Sequence, residues 1–157
     1  MRVISGSARG RMLDAVPGKN TRPTTDKVKE SVFNILQFRL YDAAMLDLFA
    51  GTGQMGIEAL SRGAARAVFV DQAPKALQRL AGQQFDVLFL DPPYGGELLN
   101  SALKAVESFD ILSPDGIIIC ESSVEDSVKC PESFAVQKTY QYGTIFLTAM
   151  CRKEENS

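Results

Sequence analysis

The sequence predicts an α/β fold, a mostly parallel sheet that ends in an antiparallel hairpin, preceded by a small N-terminal hairpin and helix. Three observations predict it. Short apolar runs at 45–49, 67–70, 85–90 and 116–120 have the length of buried strands. Helix-forming segments lie between them, so strands alternate with crossovers as in a parallel sheet. Residues 134–141 and 144–151 then face each other across Gly143, which reads as a closing antiparallel pair.

Each element has its own warrant. Residues 2–6 and 10–13 read as a small hairpin, with Val3, Ile4, Met12 and Leu13 apolar and Arg9-Gly10 near the turn. A loop with Pro17, Gly18, Asn20 and Pro23 follows. Thr24-Thr25-Asp26 offers a helix start, and Val28, Val32, Ile35 and Leu36 recur at helical spacing, which predicts a helix over 26–39. The strand at 45–49 runs into the loop Ala50-Gly51-Thr52-Gly53-Gln54. A helix over 55–62 follows, capped by Gly63. The next two strands end at Asp71 and Asp91. Residues 97–108 read as a helix, and Ser113-Pro114-Asp115-Gly116 reads as a turn before the strand at 116–120.

At 157 residues the chain suits one domain with a sizeable core, and 45% hydrophobic and 23% charged residues are ordinary for a soluble globular protein. No apolar stretch is long enough to span a bilayer, and the first residues lack a signal peptide's apolar segment. Cys120, Cys130 and Cys151 show no paired spacing, so reduced thiols in a cytoplasmic protein are expected, with neither disulfide nor metal. The chain has no histidine, which excludes Ser-His-Asp and Cys-His relays and an HExxH zinc site. The net charge of −2 is uneven. Residues 1–40 hold eight Lys/Arg against three acids, so +5 sits there and −7 on the rest. A basic lobe on an acidic body suggests a localised polyanion contact, although a solvated N-terminal arm would look the same.

Two motifs carry chemistry. Gly51-Thr52-Gly53-Gln54-Met55-Gly56 matches GxGxxG between strand and helix, with Asp71 at the end of the next strand. The glycines allow a tight turn and a close backbone approach to a ligand, and the acid can accept hydrogen bonds from ribose hydroxyls. NAD and S-adenosylmethionine both carry an adenosine, so this pattern does not separate them. Asp47 lies inside the first strand, where an unpaired carboxylate is costly. An ammonium group of a bound amino acid would satisfy it, and so would backbone N–H groups of the glycine region. The second motif, Asp91-Pro92-Pro93-Tyr94, ends a buried strand in a carboxylate, a stiff turn and an aromatic ring. That combination can hold a flat, amino-bearing base and polarise its NH2 group, which points to methyl transfer onto an exocyclic nitrogen.

Leu46-Asp47-Leu48-Phe49-Ala50-Gly51-Thr52-Gly53 resembles the S-adenosylmethionine-binding motif of class I methyltransferases, and Asp91-Pro92-Pro93-Tyr94 resembles the motif of amino-group methyltransferases. The opening is more specific. Arg2-Val3-Ile4-Ser5-Gly6, Arg9-Gly10-Arg11 and the run from Arg22-Pro23-Thr24-Thr25-Asp26 to Ser31-Val32-Phe33-Asn34 resemble the bacterial small-subunit ribosomal RNA guanine-N2 methyltransferase family, RsmD. Tyr140 and Tyr142-Gly143 resemble its C-terminal hairpin, so the likeness covers nearly the whole chain.

The resemblance implies a Rossmann-like class I sheet and a cytoplasmic enzyme acting on ribosomal RNA or the small ribosomal subunit particle. It implies S-adenosylmethionine bound by Asp47, Phe49, Ala50, Gly51, Thr52, Gly53 and Asp71, with Arg22 and Thr24 at the cofactor's amino-acid end. Asp91, Pro92, Pro93 and Tyr94 would be catalytic, and Arg9, Arg11, Lys19 and Lys27 are candidate phosphate contacts. The alternatives are N6-adenine methylation, an NAD-dependent oxidoreductase that leaves Asp91-Pro92-Pro93-Tyr94 without a task, and a non-catalytic RNA-binding or assembly protein.

One departure from the family stands out. Only thirteen residues, 72–84, separate Asp71 from the strand before Asp91, and none is acidic. The family's next strand, and the acid that meets the adenine amino group, are missing. Either the chain carries a true deletion crossed by one short helix, or a segment has been dropped from the chain as written. The second is preferred, because losing an edge strand strips one wall from the pocket.

Overall fold

The computed structural model describes residues 1–14, 25–71, 75–93, 95 and 97–154. Lys19, Arg22, Thr24 and Tyr94 lie outside the described residues. The elements in chain order are α1 (Asp26–Leu36), β1 (Ala44–Leu48), α2 (Gln54–Ser61), β2 (Arg66–Val70), a 3₁₀ helix (Lys75–Leu80), β3 (Phe85–Leu90), α3 (Glu97–Ser108), β4 (Leu112–Ser123), β5 (Phe134–Tyr142) and β6 (Ile145–Arg152). Among the described residues six strands form one sheet in the order β2-β1-β3-β4-β6-β5. β2, β1, β3 and β4 run parallel, and β6 pairs antiparallel with both β4 and β5. This is the α/β class that the sequence predicts.

Side-chain alternation on the central strands divides the core in two. Met45, Val87 and Phe89 face α1 and α2 in a cluster with Val28, Val32, Phe33, Leu36, Met55 and Ala59. Leu46, Leu48, Leu88 and Leu90 face the other way, towards Leu77 of the 3₁₀ helix and Leu99, Ala102, Leu103 and Val106 of α3. A strand buried on both faces has no polar face to show, which is why these runs read as continuously apolar. Each fully buried side chain contributes about 1.5–3 kcal/mol.

Most boundaries fall within one residue of the sequence reading, and three features differ by more. α1 starts as expected, with the Thr25 hydroxyl accepting from Val28 N. It ends at Leu36 rather than 39, and Phe38 beyond it is 93% exposed. The expected turn at 113–116 lies inside β4. Phe85 pairs with Leu112 and Val87 with Ile117, so Ser113-Pro114-Asp115-Gly116 bulges out between two paired stretches. A proline in a central strand is tolerated at such a bulge. The N-terminal hairpin pairs Arg2 with Met12 through flanking bonds from Val3 N to Arg11 O and Leu13 N to Met1 O, and Met12 is exposed rather than apolar core.

Among the described residues a 3₁₀ helix lies between β2 and β3, and β2 is at the sheet edge. β3 has moved to the other side of β1, so the strand order reverses there. Ligands of open α/β sheets bind at the carboxyl ends of strands at such a switch point.

Candidate active site

The register brings the site residues together. Leu48 pairs with both Val70 and Leu90. Phe49, Asp71 and Asp91 are the next residues on β1, β2 and β3, so they stand side by side at the carboxyl ends. Neighbouring strands are about 4.8 Å apart, which puts Asp71 and Asp91 about 10 Å from each other across Phe49. Glu121 follows Cys120, the partner of Leu90, and adds a buried carboxylate on the far side of Asp91.

The chain leaves β1 through a strained turn. Phe49 has φ +60°, which is uncommon for an aromatic residue, and Gly51 and Gly53 also have positive φ. Ala50 N donates to Val70 O at 3.1 Å, and Gly53 N donates to Ala50 O at 2.8 Å. Gly51 N donates to Asp71 Oδ1 at 3.1 Å, so the acid expected at a ribose also anchors the loop. Gly53 is the N-cap of α2 without any side-chain cap. A Cβ added at Gly51 would meet nothing within 4 Å, so a ligand can approach its backbone from the open side.

Asp47 is 2% exposed, and its Oδ2 accepts from Gly56 N at 3.1 Å. Of the two partners expected for it, the backbone one is therefore in place. Burial pushes its pKa up to about 8. The Gly56 hydrogen bond opposes this, and the carboxylates of Asp91 and Asp71 add to it. Several acids thus share one strand-end crevice, and their field favours a cation. A sulfonium and an ammonium gain there, whereas the pyrophosphate of a dinucleotide would be repelled.

Asp91 is half-buried, Pro92 buried and Pro93 exposed, so the turn presents its polar edge at the mouth of the crevice. Arg9, Arg11 and Lys27 are exposed. Thr52 Oγ1 lies 3.8 Å from Met1 Sδ, so the N-terminal hairpin reaches the glycine loop.

Sequence reasoning missed the buried charges under that hairpin, Lys29 of α1 and Glu58 of α2, neither of which has exposed surface. A signal was present. Lys29 falls three and four residues before Val32 and Phe33, on the stripe that α1 buries.

The comparisons agree with this geometry. The family described as conserved hypothetical protein 95 matches in two pieces, residues 1–82 and 75–151. YlbH of Bacillus subtilis is 40% identical over 162 residues, covering 85% of this chain and 87% of that protein. Ribosomal RNA small subunit methyltransferase D of Haemophilus influenzae is 32% identical, covering 92% of this chain and 90% of that protein. These alignments are longer than the stretch of this chain they cover, so the relatives carry residues that it lacks. Among solved structures, yhhF of Escherichia coli superposes with a TM-score of 0.84 at 28% identity over 99% of each chain. The sheet is of the class I methyltransferase fold, and the chain belongs to the conserved hypothetical protein 95 family, the RsmD family.

Proposed function

We propose that the chain methylates the exocyclic N2 amino group of a guanine in small-subunit ribosomal RNA, with S-adenosylmethionine as methyl donor. The observation that carries this is the convergence of Asp47, the 50–53 loop, Asp71 and the Asp91-Pro92-Pro93 turn at one switch point. Relatives named for methylation of small-subunit ribosomal RNA support the broader activity, S-adenosylmethionine-dependent methylation of ribosomal RNA. The choice of guanine N2 rests on the resemblance and on the chemistry of the turn.

When bound, S-adenosylmethionine supplies an electrophilic methyl group. Asp47 would hold its ammonium end, the 50–53 backbone would line it, and Asp71 would accept from its ribose hydroxyls. The resemblance implies that Arg22 and Thr24, outside the described residues, would bind the amino-acid end. The guanine amino nitrogen is a poor nucleophile, because its lone pair is delocalised into the ring. The Asp91 carboxylate accepts one N–H and the Pro92 carbonyl accepts the other, which localises the lone pair. Pro92 and Pro93 fix φ and so hold both acceptors. Tyr94 stacks on the base, a contact worth about 1–3 kcal/mol. The nitrogen would gain the methyl carbon as the S–CH3 bond breaks, leaving the uncharged thioether S-adenosylhomocysteine, and would lose one proton to Asp91 or to water. Rate comes mainly from positioning. A paired base is out of reach, so the guanine is unstacked or flipped. Arg9, Arg11, Lys19 and Lys27 contact the phosphates.

The exposed β2 edge favours a second reading, an RNA-binding or assembly protein without turnover. Two measurements decide. Thermal shift should respond to S-adenosylmethionine and not to NAD. Tritiated methyl groups should pass to ribosomal RNA from cells lacking this protein. RNA binding without cofactor affinity would favour the second reading.

A further inference from the structure

We propose that Glu58 is a positioning residue for the RNA substrate. With Lys29 and Ser61 it latches the basic N-terminal hairpin onto α2, the helix that begins at the glycine loop. The role in RNA binding rests on the methyl-transfer reading above.

Glu58 uses both oxygens fully. Oε1 accepts from Ile4 N at 2.8 Å and lies 3.2 Å from Lys29 Nζ. Oε2 accepts from Ser5 N at 3.0 Å and from Arg62 Nε at 2.9 Å. Burial raises the Glu58 pKa, but the Ile4, Arg62 and Ser5 hydrogen bonds and the Lys29 charge outweigh it, so the carboxyl sits below its ordinary value. Lys29 donates onward to the Arg2 carbonyl at 3.0 Å.

One turn along α2, the Ser61 hydroxyl accepts from Ala8 N at 2.9 Å and donates to Ser5 O at 2.7 Å. The Ser61 carbonyl accepts from Ser7 N at 2.8 Å. Gly6, at φ +88°, lies flat on the helix end. A Cβ there would come within 1.9 Å of Ser61 O.

The hairpin cannot hold this orientation alone. Its own pairing amounts to three cross-strand backbone hydrogen bonds, Val3 N to Arg11 O, Gly10 N to Val3 O and Leu13 N to Met1 O, each at 2.9 Å, and isolated two-stranded hairpins are marginal in water. Its lift-off would break the bonds from Ile4 N and Ser5 N to Glu58 and from Lys29 Nζ to the Arg2 carbonyl. Arg9 and Arg11 follow directly after the docked 5–8 segment, so their placement relative to the crevice is set by the latch.

The test is methyl-transfer kinetics on small-subunit ribosomal RNA transcribed in vitro. In Glu58→Gln one oxygen becomes an NH2 group that confronts existing donors. The variant should raise KM for RNA about tenfold, with kcat at saturation within about twofold, and lower the salt dependence of RNA binding by up to about two phosphate contacts. The Arg9→Ala/Arg11→Ala variant should do the same, and combining it with Glu58→Gln should add little. Ser61→Ala, a milder change, should raise KM in the same direction and carries the test if Glu58→Gln does not fold. A fall in Tm with KM unchanged, or effects that multiply in the combined variant, would overturn the latch while wild-type turnover stands. Absence of methyl transfer by the wild-type protein would instead overturn the functional reading, and with it the RNA role of Glu58.

Discussion

β2 and β3 both run parallel to β1 and both are followed by an aspartate, yet they are packed differently. β3 is buried at every position except Asp86, because β1 and β4 flank it and helices cover both faces. β2 has one neighbour, and its Phe69 is 43% exposed although its ring lies against Gly53 and Gly56. The proposed acceptor side of the crevice is thus held by an enclosed strand, while the proposed nucleoside side lies on an edge strand among the described residues. Methyl transfer needs reacting atoms placed to within a fraction of an ångström, and rigidity matters most there. Binding a nucleoside tolerates a looser wall.

The largest expected effect comes from emptying the two strands in turn. Phe89→Ala should cost about 3–5 kcal/mol in denaturant unfolding, as a buried ring does. Phe69→Ala should cost less than about 1.5 kcal/mol, since much of its apolar area is already in water. Equal losses would break the comparison. Next, Asp91→Ala should lower kcat by about 10²–10³-fold, the range for removing one preorganised polar partner of a transition state. Its Tm should stay near the wild type, because Asp91 lies beyond the end of β3. Unchanged turnover would remove Asp91 from the mechanism.

A smaller effect should follow from Asp47. Its folded pKa, about 8, lies above the unfolded value of 3.8. Between these values the folded state holds a proton that the unfolded state has released, so this group lowers stability as pH rises. Asp47→Asn keeps an acceptor for Gly56 N and cannot ionise. Its Tm should exceed the wild type by several degrees at pH 8, with the gap closing towards pH 5. Glu58 acts in the opposite direction, since its depressed pKa contributes stability that is lost as pH falls through the folded value. A gap independent of pH would contradict the shift at Asp47.

Local pattern explains how much of this was legible in the sequence. β3 and α3 match their expected bounds, because a buried run and an amphipathic stripe are each fixed by near neighbours. The β4 bulge was misread, since Ser113-Pro114-Asp115-Gly116 has a turn's residues and only pairing with β3 reveals the strand around it. Asp47 stood out as a carboxylate in an apolar run, but its partner Gly56 comes from tertiary folding. The latch was illegible for the same reason. Ile4 and Ser5 meet Glu58 across more than fifty residues, and no local period records such a meeting. The short 72–84 segment signals by its length that the family's next strand is missing, and a dropped segment is the preferred reading of it; among the described residues β2 lies at the sheet edge.

The central claim is that a rigid Asp91-Pro92-Pro93 turn directs a methyl group to guanine N2. Nucleoside analysis tests it most directly, after wild type and Asp91→Ala act on unmodified small-subunit ribosomal RNA with tritiated S-adenosylmethionine. Label is expected in N2-methylguanosine from the wild type, with almost none from the variant. Label in N6-methyladenosine, or equal label from both proteins, would contradict it.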